Sequence, residues 1–258
     1  MLVRHKAEVN MDRHGIAAIS VIGITLDLLG GMYLAYDLLG GKHGPLRTLT
    51  RVVTYGLFFG LGLGLPLGLA FGIAGGVALG VTFGHEFVRA SEGKLPAPYR
   101  YIILWSVIRG IGFGIGAAFI MGRAFGILFG LLSGLGQMFA YKLGFVPTAG
   151  LQPDARPRVT KLHLLGALNR IIGYVICGAA SGLLAQQGAL EGLKFGLKAG
   201  LVIGILSLVL ATIIPYIESK VDNLPGRMLG AIGAGLVVLG FVLQSVQYWV
   251  TLLDVPIK

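Results

Sequence analysis

Six charged side chains sit inside stretches that are otherwise apolar: Asp27, Arg51, Arg109, Arg170, Lys194 and Lys198. A charge at the centre of a membrane helix costs about 2.5–3.5 kcal/mol on insertion scales, so such residues pair, reach water or serve a function. At about 1.5 Å per helical residue, Asp27 lies about 16 Å into the first apolar run and Lys198 about 14 Å into the seventh. If consecutive spans alternate, both depths are counted from the same face. That predicts a pair of Asp27 with Lys198 or Lys194, which is either a satisfied structural contact or a proton or cation site. Arg51, Arg109 and Arg170 each stand four residues ahead of an aromatic ring, Tyr55, Phe113 and Tyr174. The rigid guanidinium fork suits phosphate or carboxylate. The three are expected either to snorkel to lipid headgroups or to form a ring that binds an anion. Glu86 and Glu218 fall near the same face and could neutralise part of it.

The elements that must carry these charges repeat. The pattern Gly-x-x-Phe-Gly-x-x-x-Gly-x-x-x-Gly occurs at Gly68, Phe71, Gly72, Gly76, Gly80, again at Gly122, Phe125, Gly126, Gly130, Gly134, and again at Gly192, Phe195, Gly196, Gly200, Gly204. An aliphatic residue follows the second glycine each time (Ile73, Ile127, Leu197) and also the third (Val77, Leu131, Leu201). An internal repeat of this kind sets the architecture before any other signal. Small residues at four-residue spacing let helix backbones approach closely in lipid, where no hydrophobic force drives helices together. These twelve glycines are therefore read as packing residues, and three similar hairpins suggest a pseudo-threefold core.

Composition agrees. Hydrophobic residues make up 55% of the 258-residue chain and charged residues 12%, too few to clothe a soluble domain of this size. Glycine numbers 43, well above the roughly 7% usual in proteins. The expected fold is an all-α integral membrane protein with about eight transmembrane helices, read as one membrane domain over residues 1–258. An N-terminal span falls in 1–41, hairpins in 47–90, 97–148 and 161–222, and a C-terminal span in 225–258. Turn residues place the breaks, including one at Pro66. The apolar run after Arg4, Lys6 and Arg13 is too long for a cleaved leader and is read as the first span.

Other chemistry finds little support. Cys177 stands alone, so neither an internal disulfide nor a cysteine metal cluster is available. Loose GxGxxG strings open no βαβ unit, and there is no GxxxxGK[ST] or HExxH. His85 and His163 are read as interfacial rather than as haem ligands. No nucleophile, acid–base or metal set assembles. The expectation is no enzyme, no cofactor and no metal, and no nucleic-acid partner. The reading is a transporter or channel for a small solute, ion or lipid. Its alternative is a non-catalytic accessory subunit whose glycine-rich faces dock partner helices. Membrane lipids are the expected partners, with a membrane-protein partner or a second copy of the chain also open to it. The larger share of Lys and Arg falls in the inter-hairpin loops, which are expected to be cytoplasmic at a bacterial-type plasma membrane.

Overall fold

The computed structural model describes residues 13–39, 46–94, 97–144, 161–213, 224 and 226–252. Every regular element among them is a helix: α1 (Arg13–Leu38), α2 (Arg47–Leu67), α3 (Leu69–Ser91), α4 (Tyr99–Met121), α5 (Arg123–Lys142), α6 (Lys161–Leu184), α7 (Ala189–Thr212) and α8 (Gly226–Leu252). All eight contain a stretch long and apolar enough to cross a membrane, as a polytopic membrane protein requires. Glu218 and the rest of the expected third hairpin beyond residue 213 lie outside the described residues.

The chain forms two compact units, Met1–Leu46 with Leu224–Lys258, and Arg47–Asn223. In the first, α1 packs along α8. A Cβ added to Gly30 would fall 2.5 Å from the Gly233 carbonyl oxygen, and one on Gly23 would fall 2.8 Å from that of Gly240. The two outer spans thus meet backbone to backbone.

In the second unit each helix from α2 to α7 packs against the next, and α7 also packs against α2. Three hairpins, α2–α3, α4–α5 and α6–α7, therefore close into a ring. The repeated phenylalanines turn inward and the repeated aliphatics outward. Phe71 and Phe125 are fully buried and Phe195 nearly so, whereas Ile73, Val77, Ile127 and Leu131 are each at least 60% exposed. Phe195 sits edge-on to Phe71 and Phe125, with ring centroids 5.8 and 5.3 Å away. Edge-on aromatic pairs of this kind contribute about 0.5–1.5 kcal/mol each.

The hairpin tips turn on glycine. Gly68 and Gly122 hold φ 95° and 86° with ψ near-extended, a region open in practice only to glycine. Each reverses the chain between two helices in a single residue. The break expected at Pro66 falls two residues later, since α2 runs through Pro66 to Leu67. Proline's fixed φ is helical and it forfeits only one ladder bond near the helix end, whereas the reversal needs a backbone that proline cannot adopt. The third tip is longer, and α7 begins at Ala189, so Phe195 lies one turn deeper into its helix than its counterparts.

The first hairpin is asymmetric in how tightly its glycines meet. A Cβ on Gly72, Gly76 or Gly80 of α3 would lie 2.5–2.6 Å from a backbone Cα of α2. One on Gly56, Gly60 or Gly64 of α2 would meet nothing closer than 3.5 Å. Gly76→Ala should thus destabilise the folded protein by about 1–3 kcal/mol, as overpacking does. Gly56→Ala should stay within about 0.5 kcal/mol of the parent. Reversible unfolding in bicelles compares them, and equal losses would contradict the asymmetry.

Candidate functional site

One group of buried polar side chains in the second unit lies where α3, α4 and α5 meet. Thr82 and Glu86 stand one turn apart on α3, so both face α4. From α4, Arg109 donates from Nε to Thr82 Oγ1 at 2.8 Å and from Nη2 to Glu86 Oε2 at 3.3 Å. Thr82 passes its own proton to the Ala78 carbonyl at 2.8 Å, which leaves its lone pairs for Arg109. From α5, the Tyr141 hydroxyl donates to the same oxygen, Glu86 Oε2. Phe83, between the two polar residues of α3, lies beneath the guanidinium, 4.2 Å from ring centroid to Cζ. Glu86 and Thr82 are fully buried and Arg109 is 2% exposed.

This arrangement holds a charge pair away from water and lipid. Burying each ion costs several kcal/mol, which attraction offsets only when the remaining hydrogen-bonding capacity is also filled. Thr82, Tyr141 and the Phe83 face supply that filling on three sides of the pair. Arg109 Nη1 is the donor left without a partner. Beside the pair, the Trp105 indole donates to His85 Nδ1 at 3.3 Å. His85 therefore carries no proton on that nitrogen and serves as an acceptor in an aromatic cluster with Tyr101.

Between α5 and α6, next to this cluster, lies a cavity of about 340 Å³. Ser133, Gln137 and Ala140 of α5 line one wall, and Asn169, Arg170, Tyr174 and Cys177 of α6 the other. Ser133 stands halfway along α5, which puts the cavity near half depth of a span. Gln137 is 8% exposed, and its Nε2 has no hydrogen-bond partner. Arg170 is half-buried and within electrostatic reach of Arg109, Glu86, Tyr141 and Tyr174.

The charged residues marked in the sequence therefore fall into separate settings. Arg109 and Arg170 share one electrostatic neighbourhood. Arg51 is buried near the start of α2 and is not without a partner. In the first unit, Asp27 of α1 accepts a hydrogen bond at Oδ2 from Gln244 Nε2 of α8, while its buried Oδ1 has no partner. In the second, Lys194 pairs with Glu191 at 2.7 Å on the exposed start of α7, and Lys198 is exposed further along the same helix. The expected pairing of Asp27 with these lysines joins residues of two units, each of which is described by itself. The described residues hold no cluster of three or more metal-ligating side chains.

A collar of basic and aromatic groups marks one end of the ring. Arg89 and Arg100 lie 4.4 and 5.0 Å from the Tyr101 centroid, and Lys142 lies 5.6 Å from that of Tyr99. Rings and cations of this kind concentrate at the headgroup level of membranes. Comparisons with known protein families, curated proteins and solved structures gave no match.

Removing one partner of a buried pair strands the other. Glu86→Gln or Arg109→Gln alone should cost about 3–5 kcal/mol of stability. The double variant should cost clearly less than the two together, because neither charge is then left alone. Additive losses in a double-mutant cycle would show that the pair contributes no coupling.

Proposed function

We propose that the protein is a transporter or channel for a small anionic solute, with its site in the ring of α2 to α7. The observation that carries this reading is the α5–α6 cavity at half depth. It brings a half-buried arginine and an unpartnered amide donor beside an already neutralised Arg109–Glu86 pair. A bundle built only to pack would have little reason to keep such groups, given what each costs in hydrocarbon. The same reading takes the three hairpins as copies of one glycine-zipper unit about a pseudo-threefold axis. The closed ring, the converging phenylalanines and the matching glycine tips support it. Internal repeats around a midplane site recur in transporters. The basic and aromatic collar is taken as the cytoplasmic interface, on the positive-inside rule.

One observation favours a second reading, the accessory subunit. A groove of about 530 Å³ runs along the outer face of α4 and α5, lined by Gly110, Gly114, Gly126 and Gly130 with apolar neighbours, and it would accept a partner helix.

Reconstitution of the full chain into proteoliposomes tests the choice. Flux of small anions should exceed that of cations of similar size, and Gly173→Leu, which projects into the cavity wall, should reduce it at least tenfold. Folded protein that raises no flux above empty liposomes would remove transport and leave the accessory reading.

A further inference from the structure

We infer that the α5–α6 cavity binds a single-chain carboxylate, a medium-chain fatty acid, whose head takes the place that Glu86 fills in the neighbouring hairpin. The inference rests on the transport reading for its biological sense and on the hairpin repeat for its geometry. Arg109 and Arg170 hold matching positions in α4 and α6, each four residues before a buried ring. Arg109 faces the second helix of the preceding hairpin, which offers Thr82 and Glu86, eleven and fifteen residues after Phe71. The residues eleven and fifteen after Phe125, which the repeat aligns opposite Arg170, are Gly136 and Ala140. Both line the cavity. The hydroxyl and the carboxylate that satisfy Arg109 are thus replaced, at Arg170, by two of the smallest side chains and an open volume.

Charge points the same way. Glu86 already accepts from both Arg109 and Tyr141, and the described residues give Arg170 no hydrogen bond or salt bridge. Among the described residues, Glu86 is the carboxylate in the electrostatic neighbourhood that Arg170 shares with Arg109. Gln137 adds a second, buried donor that lines the cavity without a partner.

The shape selects the rest of the ligand. Arg170 Nη1 runs back towards Gly166, 3.5 Å from where a Cβ there would stand, so the cationic end of the cavity faces the start of α6. Gln137 lies towards the end of α5, the same side of the unit in an antiparallel neighbour. Away from that end the lining is mostly apolar, through Leu132, Ile176, Cys177 and Ala180, and the Ser133 hydroxyl there donates to the Gly130 carbonyl. The cavity, of about 340 Å³, runs along roughly 16 Å of α6, from Asn169 to Ala180, so it is elongated and suits an extended chain better than a compact solute. Ile176 and Gly136 are exposed at the seam, so a chain can slide in sideways from lipid.

Saturable binding of radiolabelled octanoate to the full chain in nanodiscs, corrected with empty discs, tests this. Octanoate and decanoate should compete, while octanol, octylamine and inorganic phosphate should compete at least tenfold more weakly. Arg170→Gln should weaken binding at least tenfold, and Arg170→Lys should restore part of it. Ala140→Glu supplies the missing carboxylate from the protein itself. It should abolish octanoate binding in a folded protein, whereas Ala140→Gln should retain measurable binding. Octanol competing as well as octanoate would overturn the inference. So would octyl phosphate binding more tightly, or full octanoate binding by a folded Arg170→Gln or Ala140→Glu protein. Octanoate binding without octanoate flux in proteoliposomes would keep the site and remove transport. Anion flux that Ala140→Glu leaves unchanged would keep transport and remove the site.

Discussion

Two helices in lipid gain nothing by hiding apolar surface from each other, because the solvent is as apolar as they are. Their association depends on how closely their backbones can approach. In this protein that constraint is met inside each hairpin, where α3 lies against the α2 backbone through Gly72, Gly76 and Gly80. Approach at that distance leaves no room for side chains along the seam. The large residues are pushed to the other two faces: Ile73 and Val77 to the outside, Phe71, Leu79 and Phe83 to the inside. The aromatic core of the ring is thus a consequence of the glycine seams. With the hairpins rigid, only the joints between them remain to be specified by side chains.

Those joints differ in chemistry. Between the first and second hairpins, α3 and α4 are joined by a buried polar network, and a Cβ on Gly116 would also meet the Phe71 backbone at 2.8 Å. Between the second and third, α5 and α6 pack more loosely around the cavity, and a Cβ on Gly136 or Gly173 would find nothing within 4 Å. The tight joint then supplies the fixed electrostatic surroundings for the open one, since Arg170 senses Arg109 and Glu86 across Tyr141.

Much of this was legible in the sequence because it is periodic. Hydropathy indicated about eight helices able to cross a membrane, and the structure has eight such helices among its described residues. The tip at Gly68 was less legible. Proline is the stronger breaker signal, but the reversal depends on a φ that only glycine adopts freely. The partners of the charges were not legible beyond Glu86. Tyr141 reaches Glu86 across 55 residues, and nothing local in α5 distinguishes it from an interfacial tyrosine. Gln244 reaches Asp27 across 217. Such contacts follow from which helices become neighbours, a property of ring closure and of the α1–α8 pairing rather than of any one span.

What repeats in this chain and what fails to repeat have different physical roles. Glycine, phenylalanine and the outward aliphatics recur because every hairpin faces the same packing constraint. An intramembrane polar residue costs the fold each time it appears, so repetition gives it no support, and it survives only where something satisfies or uses it. Thr82 and Glu86 meet Arg109, and the matching positions on α5 hold Gly136 and Ala140. Arg170 nevertheless stands at the matching place on α6. If packing alone governed that position, the cheapest residue opposite Gly136 and Ala140 would be an apolar one, which would fill the cavity and leave no charge to satisfy. A guanidinium beside an open volume is a cost to the fold that packing among the described residues does not offset, and the inferred carboxylate ligand is what would compensate it.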